Sequence, residues 1–311
     1  MAEVATSTTP DQLLVVIDPV ARRIDGESVR IAKDVLSAGA ASTKVCLPDG
    51  PEEFARALRR RGSRRPVVVG DDRALLRAVT LLHRHRELAA CALSVVPVGP
   101  VLGLTRALGL PSGAVAAARA VLDGAERRLD LLVDDSDGVV LGAVRIPPVA
   151  AREAAGADAG AGVGPGASAS ASASASASAS ASAHPWLRTY QSLVRTLAST
   201  RPARITSPAG AAGPMRLRVE VDGVTLVDLD QPVDAVSVMP GAGGVAEVEV
   251  RPVSVGAEAS PLTASGRTVT VSGAHFRYRA DAVVSGPVRT RTWVVREGAW
   301  GLTLPMGDAA R

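Results

Sequence analysis

Residues 66–79 read "PVVVGDDRALLRAV": four apolar residues, a glycine, two acids and an arginine, then a helical pattern. That order suits a strand delivering a short loop to the start of a helix. Such a place holds phosphate, because the first N–H groups of a helix lack intrahelical partners and its dipole favours an anion. Phosphate loops are built from glycines, which let the main chain approach, and from donors. Gly70 fits that chemistry. Asp71 and Asp72 instead bring carboxylates to a place suited to an anion, and Arg73 adds a guanidinium that could pair with one. One carboxylate facing a phosphate at a few ångströms costs roughly several kcal/mol at an effective dielectric near 20.

Other chemistry-bearing stretches read as structural. "HRH" at 83–85 has metal-ligating types, but i,i+2 residues on a helix do not face each other. "VDDSDG" at 133–138 has the composition of a calcium loop without the later glutamate, so a turn between strands is expected. Cys46 and Cys91 sit in apolar runs without ligand spacing and read as buried free thiols. "RRRGSRR", Arg59 to Arg65, is a solvated helix end or a patch for anionic lipid headgroups, worth about 1 kcal/mol per arginine at a surface.

The elements that must position the loop alternate over the first half. "LLVVI" (13–17), "TKVCL" (43–47), "VVV" (67–69) and "ALSVVPV" (92–98) read as strands. Helical patterns lie between and after them at 26–40, 51–62, 73–88 and 113–124. The run from Leu88 to Thr105 is long and uncharged, but Pro97, Gly99, Pro100 and Gly103 make it strand, turn and helix. From 150 to 183 the chain is almost all Ala, Gly and Ser, with eight Ala-Ser dipeptides at 167–182, too poor in large apolar groups to offset ordering entropy. In "HPWLRTYQSLVRTLAST", Trp186, Leu187, Tyr190, Leu193, Val194 and Leu197 share a helical face. Beyond 214 the period is two: "RLRVEVDG", "VTLVDLD", "AVSVMPG", "VAEVEVRPVSV", "RTVTVSG", "HFRYRA", "VRTRTWVV" and "WGLTLP" read as antiparallel strands.

Composition narrows the function classes. Net charge is only +4 and aromatics are 2% of 311 residues, so little is available to stack on bases and nucleic acid is not an expected partner. "MAEVATSTTPDQ" has neither a basic nor an apolar leader region. A cytoplasmic protein is expected, without a transmembrane segment, reaching an anionic membrane surface through Arg59–Arg65.

Layout and residues together resemble the diacylglycerol kinase and sphingosine kinase-like lipid kinases, from about Leu13 to Pro305 with the Ala-Ser insertion omitted. The family's "GGDGT" falls on Gly70, Asp71, Asp72, Arg73 and Ala74. Its second motif, "P-x-G-T-x-N-D-f-A-r-x-L-G-i-P", falls on "PVGPVLGLTRALGLP" (97–111), where Pro97, Gly99, Arg106, Leu108, Gly109 and Pro111 match. Pro100, Leu102 and Gly103 stand where Thr, Asn and Asp belong. The acidic "D-G-E" falls on Asp281, Ala282 and Val283, and "NPxSG" becomes "DPVAR" (18–22). NAD kinases share the glycine-rich loop, but the Leu-Gly-x-Pro tail favours the lipid branch.

The resemblance implies a doubly wound N-terminal α/β domain like that of NAD kinases and diacylglycerol kinases (12–128), after a flexible start (1–11). It implies a C-terminal antiparallel β-sandwich domain that begins at 129–149, is interrupted by the insertion (150–183) and resumes as a helix plus strands (184–305), with a tail at 306–311. It further implies ATP and Mg²⁺ near Gly70, Asp71, Asp72, Arg73, Pro97 and Gly99, with Asp72 as metal candidate. Val283 stands at the position of the general base, leaving Asp281, two residues away, as a substitute. A missing base typically costs ~10²–10⁴ in rate, and a missing charge-stabilising donor ~10²–10³. Three readings follow: a catalytically impaired lipid kinase-like protein binding a lipid or a partner through the interdomain cleft, an active lipid kinase with a rearranged Mg-ATP site, or an interaction protein with a closed cleft.

Overall fold

The computed structural model describes residues 12–148, 214–253 and 260–306. The N-terminal stretch 1–11, the Ala-Ser tract and the Trp186 helix lie outside the described residues.

Four parallel strands, β1 (Gln12–Ile17), β2 (Ser42–Cys46), β3 (Arg65–Gly70) and β4 (Ala92–Pro97), lie in the order β2-β1-β3-β4. Leu13–Ile17 and Val67–Val69 are almost wholly buried, as continuous apolar strands must be when covered on both faces. Alternate residues feed two cores. Leu13, Val15, Ile17, Val67 and Val69 cluster with residues of α1 (Pro19–Ile24), α2 (Gly26–Gly39) and α6 (Ala114–Asp123). Leu14, Val16, Val68, Leu93 and Val95 cluster with residues of α3 (Pro51–Arg59) and α4 (Asp72–Arg84). Helix α5 (Gly103–Ala107) completes the described helices.

The remaining strands are β5 (Ala125–Asp134), β6 (Val139–Val140), β7 (Val144–Ile146), β8 (Met215–Val221), β9 (Val224–Val227), β10 (Pro232–Pro240), β11 (Ala246–Pro252), β12 (Leu262–Gly266), β13 (Thr268–Ala280) and β14 (Val283–Leu304). They pair with one another antiparallel, and inward residues such as Val219, Val236, Val248, Val271 and Trp293 form a third core. Two pairs of expected strands are each one long strand. β13 joins "RTVTVSG" to "HFRYRA" through an irregular register between Ser272 and Phe276, and β14 is interrupted between Arg296 and Trp300.

The expected division at 128/129 into two separately built lobes does not hold at one joint. The end of β14 returns to the first half and pairs in parallel with β4, Gly301 opposite Ala92 and Leu302 opposite Leu93. Trp300, Leu302 and Leu304 enter the α3/α4 core, and the buried Ser94 hydroxyl donates to Thr303 Oγ1 at 2.8 Å. One hydrogen-bonded ladder therefore runs β2-β1-β3-β4-β14-β13. The physical reason is that β4 needs a partner on its outer edge. "WGLTLP" supplies one, and its period of two is the same whichever sheet it joins.

The five-arginine stretch is also dispersed. Arg61 pairs with Glu87, and an Arg65 Nη donates to the Val121 carbonyl at 2.7 Å, leaving Arg59 and Arg60 exposed at the end of α3. Cys46 and Cys91 are free and half-buried, and burial pushes the Cys91 thiol up. Among the described residues no helix is long and apolar enough to cross a membrane.

Because β14 fills the first half's core, Leu302→Ala should lower the stability of both halves together, by about 2–5 kcal/mol. Chemical denaturation followed by far-ultraviolet circular dichroism and by tryptophan fluorescence should give one shared, lowered midpoint.

Candidate active site

The register of β3 against β4 sets Gly70 opposite Pro97, so the two motif loops leave the sheet side by side. The Val98 N–H donates to the Gly70 carbonyl at 3.0 Å, and the Asp72 N–H to the Val101 carbonyl at 2.9 Å. Gly99 has φ +139°, and a Cβ there would lie 2.9 Å from Asp71 Cβ, so only glycine lets the second loop close on the first.

Asp71 is the N-cap of α4. Its Oδ1 accepts from the N–H groups of Arg73 at 3.1 Å and Ala74 at 3.2 Å, while the Leu75 N–H donates to the Asp71 carbonyl at 3.0 Å. With the Asp72 N–H bonded to Val101, the N–H groups at positions 72–75 are all used by the chain itself. The Asp71 carboxylate occupies the place an anion would take at this helix start. Burial pushes its carboxyl up, against the two N–H groups that favour the ionised form. Arg73 is exposed and helical, so it carries none of the backbone strain that a left-handed loop position would impose.

Asp72 turns the other way. Its Oδ2 accepts from the Leu104 N–H at 2.8 Å and its Oδ1 from the Thr105 N–H at 2.9 Å, capping α5 from a position 4% exposed. Asp18 repeats the device: Oδ1 accepts from the Val20 N–H at the start of α1, and Oδ2 pairs with Arg77 at 2.8 Å. Arg77 was not singled out from sequence. It lies one turn beyond Arg73 on α4, over the Phe54 ring, and only the approach of α1 gives it a carboxylate. The signal for α1 itself was present as Asp18-Pro19, a capping residue followed by proline.

Asp281 sits in the β13–β14 turn with φ +49°. Its carboxylate faces inward and accepts from three successive N–H groups, Leu141 at 2.8 Å, Gly142 at 2.7 Å and Ala143 at 3.0 Å. Burial pushes this carboxyl up despite those bonds, and the Asp72 carboxylate adds to the effect. The fold thus brings Asp71, Asp72, Gly99, Gly103 and Asp281 into one region. Val283 is 51% exposed at the start of β14.

The second motif divides cleanly. Leu108 and Gly109 end α5: Gly109 has φ +83°, its N–H donates to the Arg106 carbonyl, and the Leu110 N–H donates to the Thr105 carbonyl. That is a glycine-stopped helix end. The matching residues Gly99 and Gly109 therefore shape the backbone.

Three solved structures from Bacillus anthracis str. Sterne that carry a diacylglycerol kinase assignment superpose over nearly the whole chain. They have TM-scores of 0.64, 0.63 and 0.62 at 14%, 13% and 11% identity, covering 96% of this chain and 98%, 99% and 98% of theirs. The chain has the fold of the diacylglycerol kinases. No protein-family model and no curated protein matches it by sequence.

The resemblance to diacylglycerol kinases implies ATP and Mg²⁺, and the groups that would meet them here are already engaged within the chain. A polyphosphate would meet N–H groups that Asp71 and Val101 already hold, and both oxygens of Asp72 already accept N–H groups of α5. "VDDSDG" forms the expected turn. Asp134 accepts from the Ser136 N–H and hydroxyl and from the Gly138 N–H, and these outweigh burial to hold its carboxyl below the ordinary range.

Two outcomes follow from the caps. Asp71→Ala should destabilise the protein by about 1 kcal/mol and Asp71→Asn by less, since the amide oxygen still accepts; urea midpoints check this. The raised Asp281 carboxyl contributes stability that is fully present below its ordinary value of 3.8 and lost as pH rises through the raised folded value. Asp281→Asn, which cannot ionise, should therefore gain on the parent as pH climbs above 3.8, in paired denaturation curves across pH.

Proposed function

We propose that this protein is a catalytically impaired member of the lipid kinase group, one that binds a lipid or a partner through the cleft between its halves without transferring phosphate. The observation that carries this reading is the complete use of the N–H groups at the start of α4, with Asp71 standing where a phosphate would sit. The fixed positions of Asp72 and Asp281 support it further. Each accepts main-chain N–H bonds on both carboxylate oxygens, so neither is poised to organise a metal or to take a proton from a lipid hydroxyl. In this reading the N-terminal half is a doubly wound nucleotide domain that keeps its scaffold. The C-terminal half is a β-sandwich that forms the other wall of the cleft, and the protein works in the cytoplasm.

The test is ATP binding and phosphate transfer to diacylglycerol. Binding of ATP–Mg²⁺ stabilises by RT ln(1 + [L]/Kd), about 2.7 kcal/mol at a hundredfold excess over Kd. The parent should give no saturable, Mg²⁺-dependent melting shift and no lipid phosphorylation. Asp71→Gly frees the Arg73 and Ala74 N–H groups at little cost to the helix start, because glycine is itself a tolerated N-cap. Combined with Gly103→Asp, whose Cβ would lie 3.8 Å from Asp72 Oδ2, it should gain ATP affinity without gaining turnover. A micromolar, Mg²⁺-dependent shift in the parent would overturn the reading.

A further inference from the structure

At the opposite end of α4 from the motif loops, roughly 17 Å along the helix by its 1.5 Å rise per residue, lies a cavity of about 590 Å³. Its walls come from the end of α4, from β5 and β14, and from the loops around Gly244 and Arg267. The volume falls within the range of small-molecule sites. Leu88, Leu131, Val295 and Ala299 supply an apolar floor, and Arg86, Arg267 and Arg296 stand around it as exposed guanidinium groups. Glu297 is the one acidic side chain of the lining and lies 3.7 Å from Arg267; His83 is occupied by Asp137. Arg86 and Arg296 have no carboxylate partner among the described residues.

The backbone at Arg86 is the second, independent observation. Helix α4 ends as α5 does. The Arg86 N–H donates to the His83 carbonyl and the Glu87 N–H to the Leu82 carbonyl, which puts the intervening residue in the left-handed region at φ +57°. At α5 that position is Gly109. Glycine is the residue such a turn ordinarily uses, and a side chain there is strained. Here the strained position carries an arginine, and that arginine lines the cavity. Strain kept at a position where glycine would relieve it points to a use for the side chain.

We propose that this cavity binds a small amphiphile with an anionic head. The guanidinium groups of Arg86, Arg296 and Arg267 would take a carboxylate or phosphate head by charge-assisted hydrogen bonds, and the Leu88–Leu131–Val295 floor its apolar body. The site shares no residue with the motif loops and does not depend on whether they bind nucleotide.

Isothermal titration of the full chain with decanoate, decyl phosphate, decanol and inorganic phosphate tests this. Decanoate or decyl phosphate should bind with one site per chain, whichever of the two heads is preferred; decanol should bind at least about tenfold more weakly, since removing one charge-assisted contact is worth about that factor, and so should inorganic phosphate, since it has no apolar body to bury on the floor. Arg86→Gly should raise the melting temperature by about 2 °C, as relief of roughly 1 kcal/mol does in a chain of this size, and yet weaken binding about tenfold or more. Arg296→Gln should weaken binding with no change in melting temperature. Absence of binding by both anionic probes, equal binding of decanol, or unchanged binding by Arg86→Gly would overturn the proposal.

Discussion

A carboxylate taken out of water must find hydrogen-bond donors, and around the candidate site the donors it finds are chiefly main-chain N–H groups. Asp18, Asp71, Asp72 and Asp281 each hold the start of a helix or the bend of a loop in this way. Asp71 and Asp72 are adjacent in sequence and cap different helices, α4 and α5, so one dipeptide ties the two motif loops into a single block. Asp281 ties the β13–β14 turn to residues 141–143 from across the chain. The geometry of the region follows from satisfying these four groups.

The same constraint decides between rigidity and binding. A helix start with unpaired N–H groups is an attractive place for an anion because it is incompletely satisfied. Once a side chain completes it, an external anion must displace a covalently tethered competitor whose effective concentration is high. The charge balance at α4 is therefore held within the protein, with Arg77 on Asp18 and the helix N–H groups on Asp71.

Much of this was legible in the residues. Apolar runs such as "LLVVI" became buried parallel strands, the Pro51–Glu52–Glu53 start and arginine-rich end marked α3, and alternation marked β8, β10 and β11. The motif loops fell side by side because both follow strands that pair. What sequence left open depended on long-range partners. That Asp71 would face its own helix, and Asp72 another, follows from the closeness of the 97–105 loop. That Asp281 would turn inward depends on residues more than a hundred positions away. Arg61 and Arg65, which read as part of a solvent patch, were drawn off by Glu87 and by the end of α6. The final strand was recognised as a strand but not as the neighbour of β4.

That neighbour has a consequence for how the chain is made. Ser94 and Thr303 are 209 residues apart, and until the second has been synthesised the outer edge of β4 has no strand beside it and Leu93 lacks Leu302. The N-terminal half, which emerges first, thus carries an open sheet edge and an unfilled core while more than half of the protein is still being built. Such an edge is a template for pairing with any extended chain nearby. Contacts of this span are slow to close. The last turnings of β14 act as a latch, and the time between making the edge and supplying its latch is when this protein is most exposed to misassociation.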